Sequence, residues 1–246
     1  MKAINQLLPT PNPHISDAVS SNSPSGMRLG NPAPRIPWAV KILYTAFMAV
    51  LVPVYWTKYG PTNFLYFCDV ALFVTLLGVW WEKPIFASMA AVGILLPQCL
   101  WVADYFGHFV GLPLTGMTGY MFEPERPVFL RGLSLFHGWL PFLLVFMVWR
   151  LGYDRRALWI WTATAWALVL ICYFFMPAPG AVLENPLAPR NINYVYGLSE
   201  TAGQTWMPQG LFVPTLMATL FAVLYLPAHL VLKKCFAQKA LLAPSR

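Results

Sequence analysis

From about residue 37 onward the chain alternates long apolar runs with short polar breaks. The runs cover about 37–57, 62–81, 85–107, 130–150, 156–176 and 211–232. Each lies near the ~20 residues a helix needs to cross a bilayer. Their unbroken apolar character excludes the alternating strands of a membrane barrel. Backbone polar groups in lipid must be satisfied within the segment, so the pattern predicts an all-α, polytopic, six-helix transmembrane bundle over 37–232. Residues 1–36 are rich in Pro, Ser and Asn and lack an apolar signal-peptide core, and they read as a disordered cytoplasmic tail. Residues 233–246 read as a short basic cytoplasmic tail. Two connections are long, about 112–129 and 177–210. Long loops in a compact protein tend to be lids or binding surfaces.

Composition agrees. The 246 residues are 58% hydrophobic and 10% charged, against about 25% charged in soluble domains. Mean hydropathy is +0.58. Eleven Trp suit the headgroup level of a bilayer. The formal charge of +7 reads as a record of topology, and no nucleic-acid partner is expected. Only Lys58, Arg126, Arg131 and Arg190 of the sixteen Lys and Arg fall on one side, leaving twelve on the side of the termini. Both termini are therefore expected in the cytoplasm, in a multi-pass protein of the cell inner (plasma) membrane. Membrane lipids are the expected partners, with a membrane protein or a second copy of the chain as the further candidate. Cys68, Cys99, Cys172 and Cys235 show neither disulfide-framework nor zinc spacing. No cofactor is expected.

The apolar runs are interrupted by chemistry. "NFLYFCDVAL" puts Asn63, Cys68 and Asp69 in the second run. Counting from the outer end of that run, Cys68 and Asp69 lie roughly 10 Å deep, and His137 lies equally deep in the fourth. Gln98, Trp101, Asp104, Tyr105 and His108 form one stripe on the third. Arg131, Ser134, His137 and Pro141 form another on the fourth. Ionisable residues in membrane helices face the bundle interior and mark function. The bland alternatives are clear: a lone buried Cys packs as a small hydrophobe, a lone His joins two helices, and Asp104 and His108 make a local pair.

"NFLYFCDVAL", "LFHGWLPFLL" and "NINYVYGL" occur in the order and rough spacing seen in YwaF-like bacterial integral membrane proteins, which this chain resembles over about residues 60–232. The wider group includes a vertebrate transmembrane acyltransferase with a catalytic Cys and His. More distantly, the chain is similar to the androgen-induced hydrolases of fatty acid esters, which use a Thr and a His within the membrane. The resemblance implies Cys68 as nucleophile and His137 as base. Arg131, Pro141 and the loop "TGYMFEPERP" have no matching feature in the family.

Three readings stay open. In acyl chemistry on a lipid, Cys68 attacks an ester and His137 handles the proton. Asp69 or Asp104 orients the imidazole. Asn63, Gln98 or Asn193 donates to the oxyanion, and His108 and Tyr194 complete the substrate-binding set. In a non-catalytic accessory subunit, the same groups are interhelical contacts. In a metal enzyme, Asp69, Asp104, His108 and His137 converge, Asp104 and His108 sharing an ion at i, i+4.

Overall fold

The computed structural model describes residues 35–199 and 201–236. The tail over 1–34 and residues 237–246 lie outside the described residues. Helix α1 covers Trp38–Tyr59, α2 Phe67–Trp81 and α3 Pro84–Phe109. The fourth pass is two helices, α4 (Val128–Ser134) and α5 (Phe136–Leu151). Helix α6 covers Ala157–Phe175. The last pass joins α7 (Gln209–Thr219) to α8 (Leu226–Phe236) through a π-helical stretch, Leu220–Tyr225. Five passes are long and apolar enough to cross a membrane, and α2 is a shorter apolar helix. The chain is an all-α, multi-pass membrane protein. Exposed Ile42, Leu43, Phe142, Phe174 and Phe175 give its flanks the apolar surface that lipid tails require.

The second and fourth passes depart from simple apolar rods. Helix α2 has 15 residues, about 22 Å at 1.5 Å per residue, short of the ~30 Å hydrocarbon core. A 3-10 turn at Pro61–Leu65 precedes it, and Tyr66 is extended (φ −63°, ψ 141°). Cys68 and Asp69 are therefore in the first turn of α2, not two turns inside a helix beginning at 62. In the fourth pass the helix breaks at Leu135, which separates α4 from α5. Both breaks are flanked by apolar residues, so a hydropathy count does not show them. The tail boundaries shift too: Ile36 is fully buried, and α8 runs on through Lys233 and Lys234 to Phe236.

Helix α3 is the centre of the bundle. Its most apolar window is 56% buried, against 28% for α1 and 22% for the last pass. It packs against α2, α5, α6 and α8. Small residues make that crowding feasible: Ala87, Ala90 and Ala91 are completely buried. At Gly93 the indole of Trp161 lies where a Cβ would stand.

One end of the bundle is locked by charge. Lys41 Nζ meets Glu82 Oε1 at 2.7 Å. Glu82 also accepts the Arg35 N–H at 2.9 Å and the Ile36 N–H at 3.3 Å. Burial alone would raise the Glu82 carboxyl, but these bonds outweigh it and hold the group below its usual range. Arg150 Nε donates to the Arg35 carbonyl at 2.7 Å. Tyr153 Oη and His229 Nδ1 pair at 2.6 Å at the same end. The opposite end carries the long loops, and the candidate chemistry lies there.

Candidate functional site

The start of α2 is fixed by a residue from far along the chain. Asn193 Oδ1 accepts the Phe67 N–H at 3.0 Å, and its Nδ2 donates to the Leu65 carbonyl at 2.8 Å. It thus caps a helix whose own N-cap residue, Tyr66, supplies no side-chain cap. Asn191, Asn193 and Tyr194 all hold positive φ, at 48°, 58° and 60°. Asn tolerates that region through local hydrogen bonds. Asn191 does so here, with its amide on the carbonyls of Gly197 and Ser199 and its Oδ1 on the Tyr196 N–H.

With α2 capped, its first turn presents Cys68 and Asp69. Asp69 is 2% exposed. Its Oδ2 accepts from Asn63 Nδ2 at 3.1 Å, while Oδ1 is buried with no protein partner. The Tyr55 phenol is in electrostatic range of Asp69, and it pairs with Ser134 Oγ at 3.0 Å.

Ser134 leads to His137. At the Leu135 break the helix tightens: the Gly138 N–H turns to Leu135 O at 2.9 Å, leaving the Ser134 carbonyl without its usual helical donor. His137 Nδ1 takes that carbonyl at 2.8 Å. A carbonyl only accepts, so Nδ1 carries the proton and Nε2 the lone pair. The ring stacks on Trp101 at 4.8 Å and on Phe136 at 4.0 Å. Among the described residues no hydrogen bond joins Cys68 to His137.

The 110–127 loop closes over this layer. Gly111 and Gly116 turn at φ 73° and 76°, and the loop amides between them have no helix to bond within. Asp104 supplies the acceptors. Oδ1 takes the Thr115 N–H at 2.6 Å and the Gly116 N–H at 3.1 Å. Oδ2 takes the Thr118 N–H at 2.9 Å and the Thr118 hydroxyl at 2.7 Å. Beyond this anchor a 3-10 turn, Gly119–Met121, buries Met121. Arg131 Nη1 holds the Met121 carbonyl at 3.1 Å, and the Arg126 guanidinium lies 5.2 Å from the Tyr120 ring. The Tyr120 phenol has Cys68 and Tyr194 in electrostatic range. Trp101 Nε1 is buried without a hydrogen-bond partner. Burial pushes the Tyr120 phenol well above its usual range.

The expected site residues therefore divide. Asn63 and Asp69, both buried, and Cys68, His137 and Tyr194, half-buried, lie at this end of the bundle, with Tyr55, Ser134 and Trp101 between Asp69 and His137. Asp104 does not orient His137, because its four acceptor positions are engaged by the loop. His108 stays with it: Nδ1 lies 3.0 Å from Thr118 Oγ1, and the ring stacks on Phe122 at 4.7 Å. Asn193 is not an oxyanion donor, because its amide holds the backbone of the α2 entry. Gln98 is 1% exposed, and neither amide atom has a protein partner. The four residues offered as metal ligands do not converge; among the described residues no three His, Cys, Asp or Glu come together. Sequence reasoning passed over Tyr55 and Tyr120. One is an ordinary aromatic in an apolar run, the other an ordinary aromatic in a loop, and only the tertiary contacts mark them. No family model, no curated protein and no solved structure matches the chain.

Proposed function

We propose that the chain is an intramembrane enzyme that transfers or hydrolyses lipid acyl groups, with Cys68 as nucleophile and His137 as base. The observation that carries the proposal is the His137 tautomer. The Ser134 carbonyl fixes the proton on Nδ1, so Nε2 is left as a proton acceptor in the layer that holds the thiol. Cys68 lies in the first turn of α2, the helix end at which a thiol is activated. The resemblance to YwaF-like proteins assigns the same two roles.

In the reaction the thiol proton passes to His137 Nε2, and sulfur bonds to the ester carbonyl carbon. The carbon–oxygen bond to the lipid then breaks, and the proton goes to the leaving alkoxide. Water or a second lipid hydroxyl takes the acyl group from Cys68. Thiol and imidazole come into hydrogen-bond reach in the substrate complex, since catalytic contacts are often loose without substrate. In this proposal both termini are cytoplasmic, in the inner (plasma) membrane, and the layer opens toward the outer leaflet. The uneven Lys and Arg distribution supports that orientation.

The missing Cys68–His137 hydrogen bond favours a second reading, an accessory subunit whose polar layer only joins helices. A lipid-tailed chloroacetamide, applied to the purified chain in detergent, separates the two. Cys99 and Cys235 are exposed and report non-selective alkylation. The enzyme reading expects selective modification of Cys68, slowed about 100-fold in His137→Ala. Modification spread over the exposed Cys, with no dependence on His137, supports the accessory reading.

A further inference from the structure

At the charge-locked end of the bundle, packing holds two exposed cations near one another. Tyr153 lies just beyond α5, and its Oη meets His229 Nδ1 at 2.6 Å, with the two rings 5.6 Å apart. This contact ties the connection between α5 and α6 to α8. Arg155 stands two residues beyond Tyr153, and Lys233 stands one turn beyond His229 on the same side of α8. Both cations are in electrostatic range of the imidazole. The α5–α6 connection supplies one carboxylate, Asp154, and Arg156 takes it, with Nε 3.1 Å from Oδ1 and Nη2 2.7 Å from Oδ2. At the same end Glu82 is taken by Lys41. Among the described residues Arg155 and Lys233 form no ion pair. Like charges brought together by packing repel, and an anion placed between them replaces that repulsion with attraction.

The surface beside the two cations is apolar. Trp159, in the first turn of α6, is exposed and stacks on Phe221 of the last pass at 5.6 Å. Leu230 and Val231, between His229 and Lys233 on α8, are exposed as well. An exposed Trp above a cluster of cations is the pattern of a bilayer interface. Basic pockets between membrane helices take the phosphates of lipid headgroups. We infer that Arg155 and Lys233 form a binding site for the phosphate of an anionic phospholipid, whose chains lie along the apolar flank of α6 and α8.

A lipid bound there bridges the α5–α6 connection and α8, adding to the Tyr153–His229 contact that already joins them. The adjoining apolar surface selects a lipid over a free phosphate, which would leave that surface uncovered. The site lies at the end of the bundle opposite Cys68 and does not depend on the chemistry of that thiol.

The test uses the full chain in a neutral detergent. Phosphatidylglycerol and phosphatidylcholine with the same oleoyl chains are titrated in, and bound lipid is counted by native mass spectrometry. Glycerol phosphate supplies the anion without chains. Phosphatidylglycerol should bind more tightly than phosphatidylcholine. Joint replacement, Arg155→Gln with Lys233→Gln, should weaken phosphatidylglycerol about 30-fold and leave phosphatidylcholine unchanged. Lys83→Gln, which removes another exposed cation at the same end, should leave both lipids unchanged. Arg155 and Lys233 are exposed, so thermal unfolding should not shift. A wild-type chain that binds the two lipids equally overturns the site without any variant. Equal weakening by Lys83→Gln also overturns it, because a diffuse basic surface then explains the binding. Displacement of phosphatidylglycerol by glycerol phosphate at equal concentration overturns the lipid assignment and makes the site one for a free phosphate.

Discussion

Replacing Asp104 with Ala should release the loop that carries Tyr120. The carboxylate is fully buried and accepts four hydrogen bonds, from three backbone amides and one hydroxyl. A hydrogen bond to a charged acceptor is worth about 1.5–3 kcal/mol, and a buried donor left unpaired is destabilised by about 1–3 kcal/mol. The released segment regains backbone entropy and reaches water, which limits the sum. We expect the free energy of opening residues 115–118 to fall by about 3–6 kcal/mol. At about 1.4 kcal/mol per factor of ten, amide exchange there should accelerate by two to four powers of ten. Hydrogen–deuterium exchange of a peptide covering 110–122 measures it, with a peptide from α5 as the internal standard. Asp104→Asn keeps one acceptor oxygen and turns an NH2 toward the donors of the other, so it should fall between wild type and Ala. Unchanged protection of the Thr115, Gly116 and Thr118 amides would refute the anchor. Equal loss of protection in α5 would mean that the carboxylate supports the whole bundle and not the loop.

Two further outcomes follow from the same contacts. Asn193→Gly keeps the left-handed backbone but removes the α2 cap and the bond to Leu65, and should lower stability by about 1–2 kcal/mol; Asn193→Ala adds about 1 kcal/mol of strain at φ 58°. Thermal unfolding in detergent reads both, and a Gly variant as stable as wild type would show that the cap contributes nothing. For orientation, single Cys residues at the exposed positions Glu125 and Thr201, in a chain lacking its native Cys, should react with an impermeant maleimide in intact cells. Reaction only after lysis would reverse the topology.

The order of the apolar passes was legible in the sequence, and the reason is local. Each pass partitions into lipid largely on its own composition, so hydropathy locates it without knowledge of its neighbours. Cys68, Asp69 and His137 stood out as candidates for a related reason: in a run selected for apolar character, each polar residue is conspicuous. Their relations were not legible. Passes that are apolar on every side give no periodic signal of which face turns inward. The start of α2 depends on Asn193, which is 126 residues beyond Phe67. The loop over the layer depends on a carboxylate at the end of α3. Asp104 looked like a partner for His137 because both belonged to the same predicted depth, but depth ranks residues along one axis and leaves their positions around the bundle open. Tyr120 carries no signal at all in the sequence, being one of eleven Tyr. The chain's own composition therefore determined where it enters lipid, whereas long-range hydrogen bonds, which form only when loops fold back onto helix ends, decided which polar groups meet.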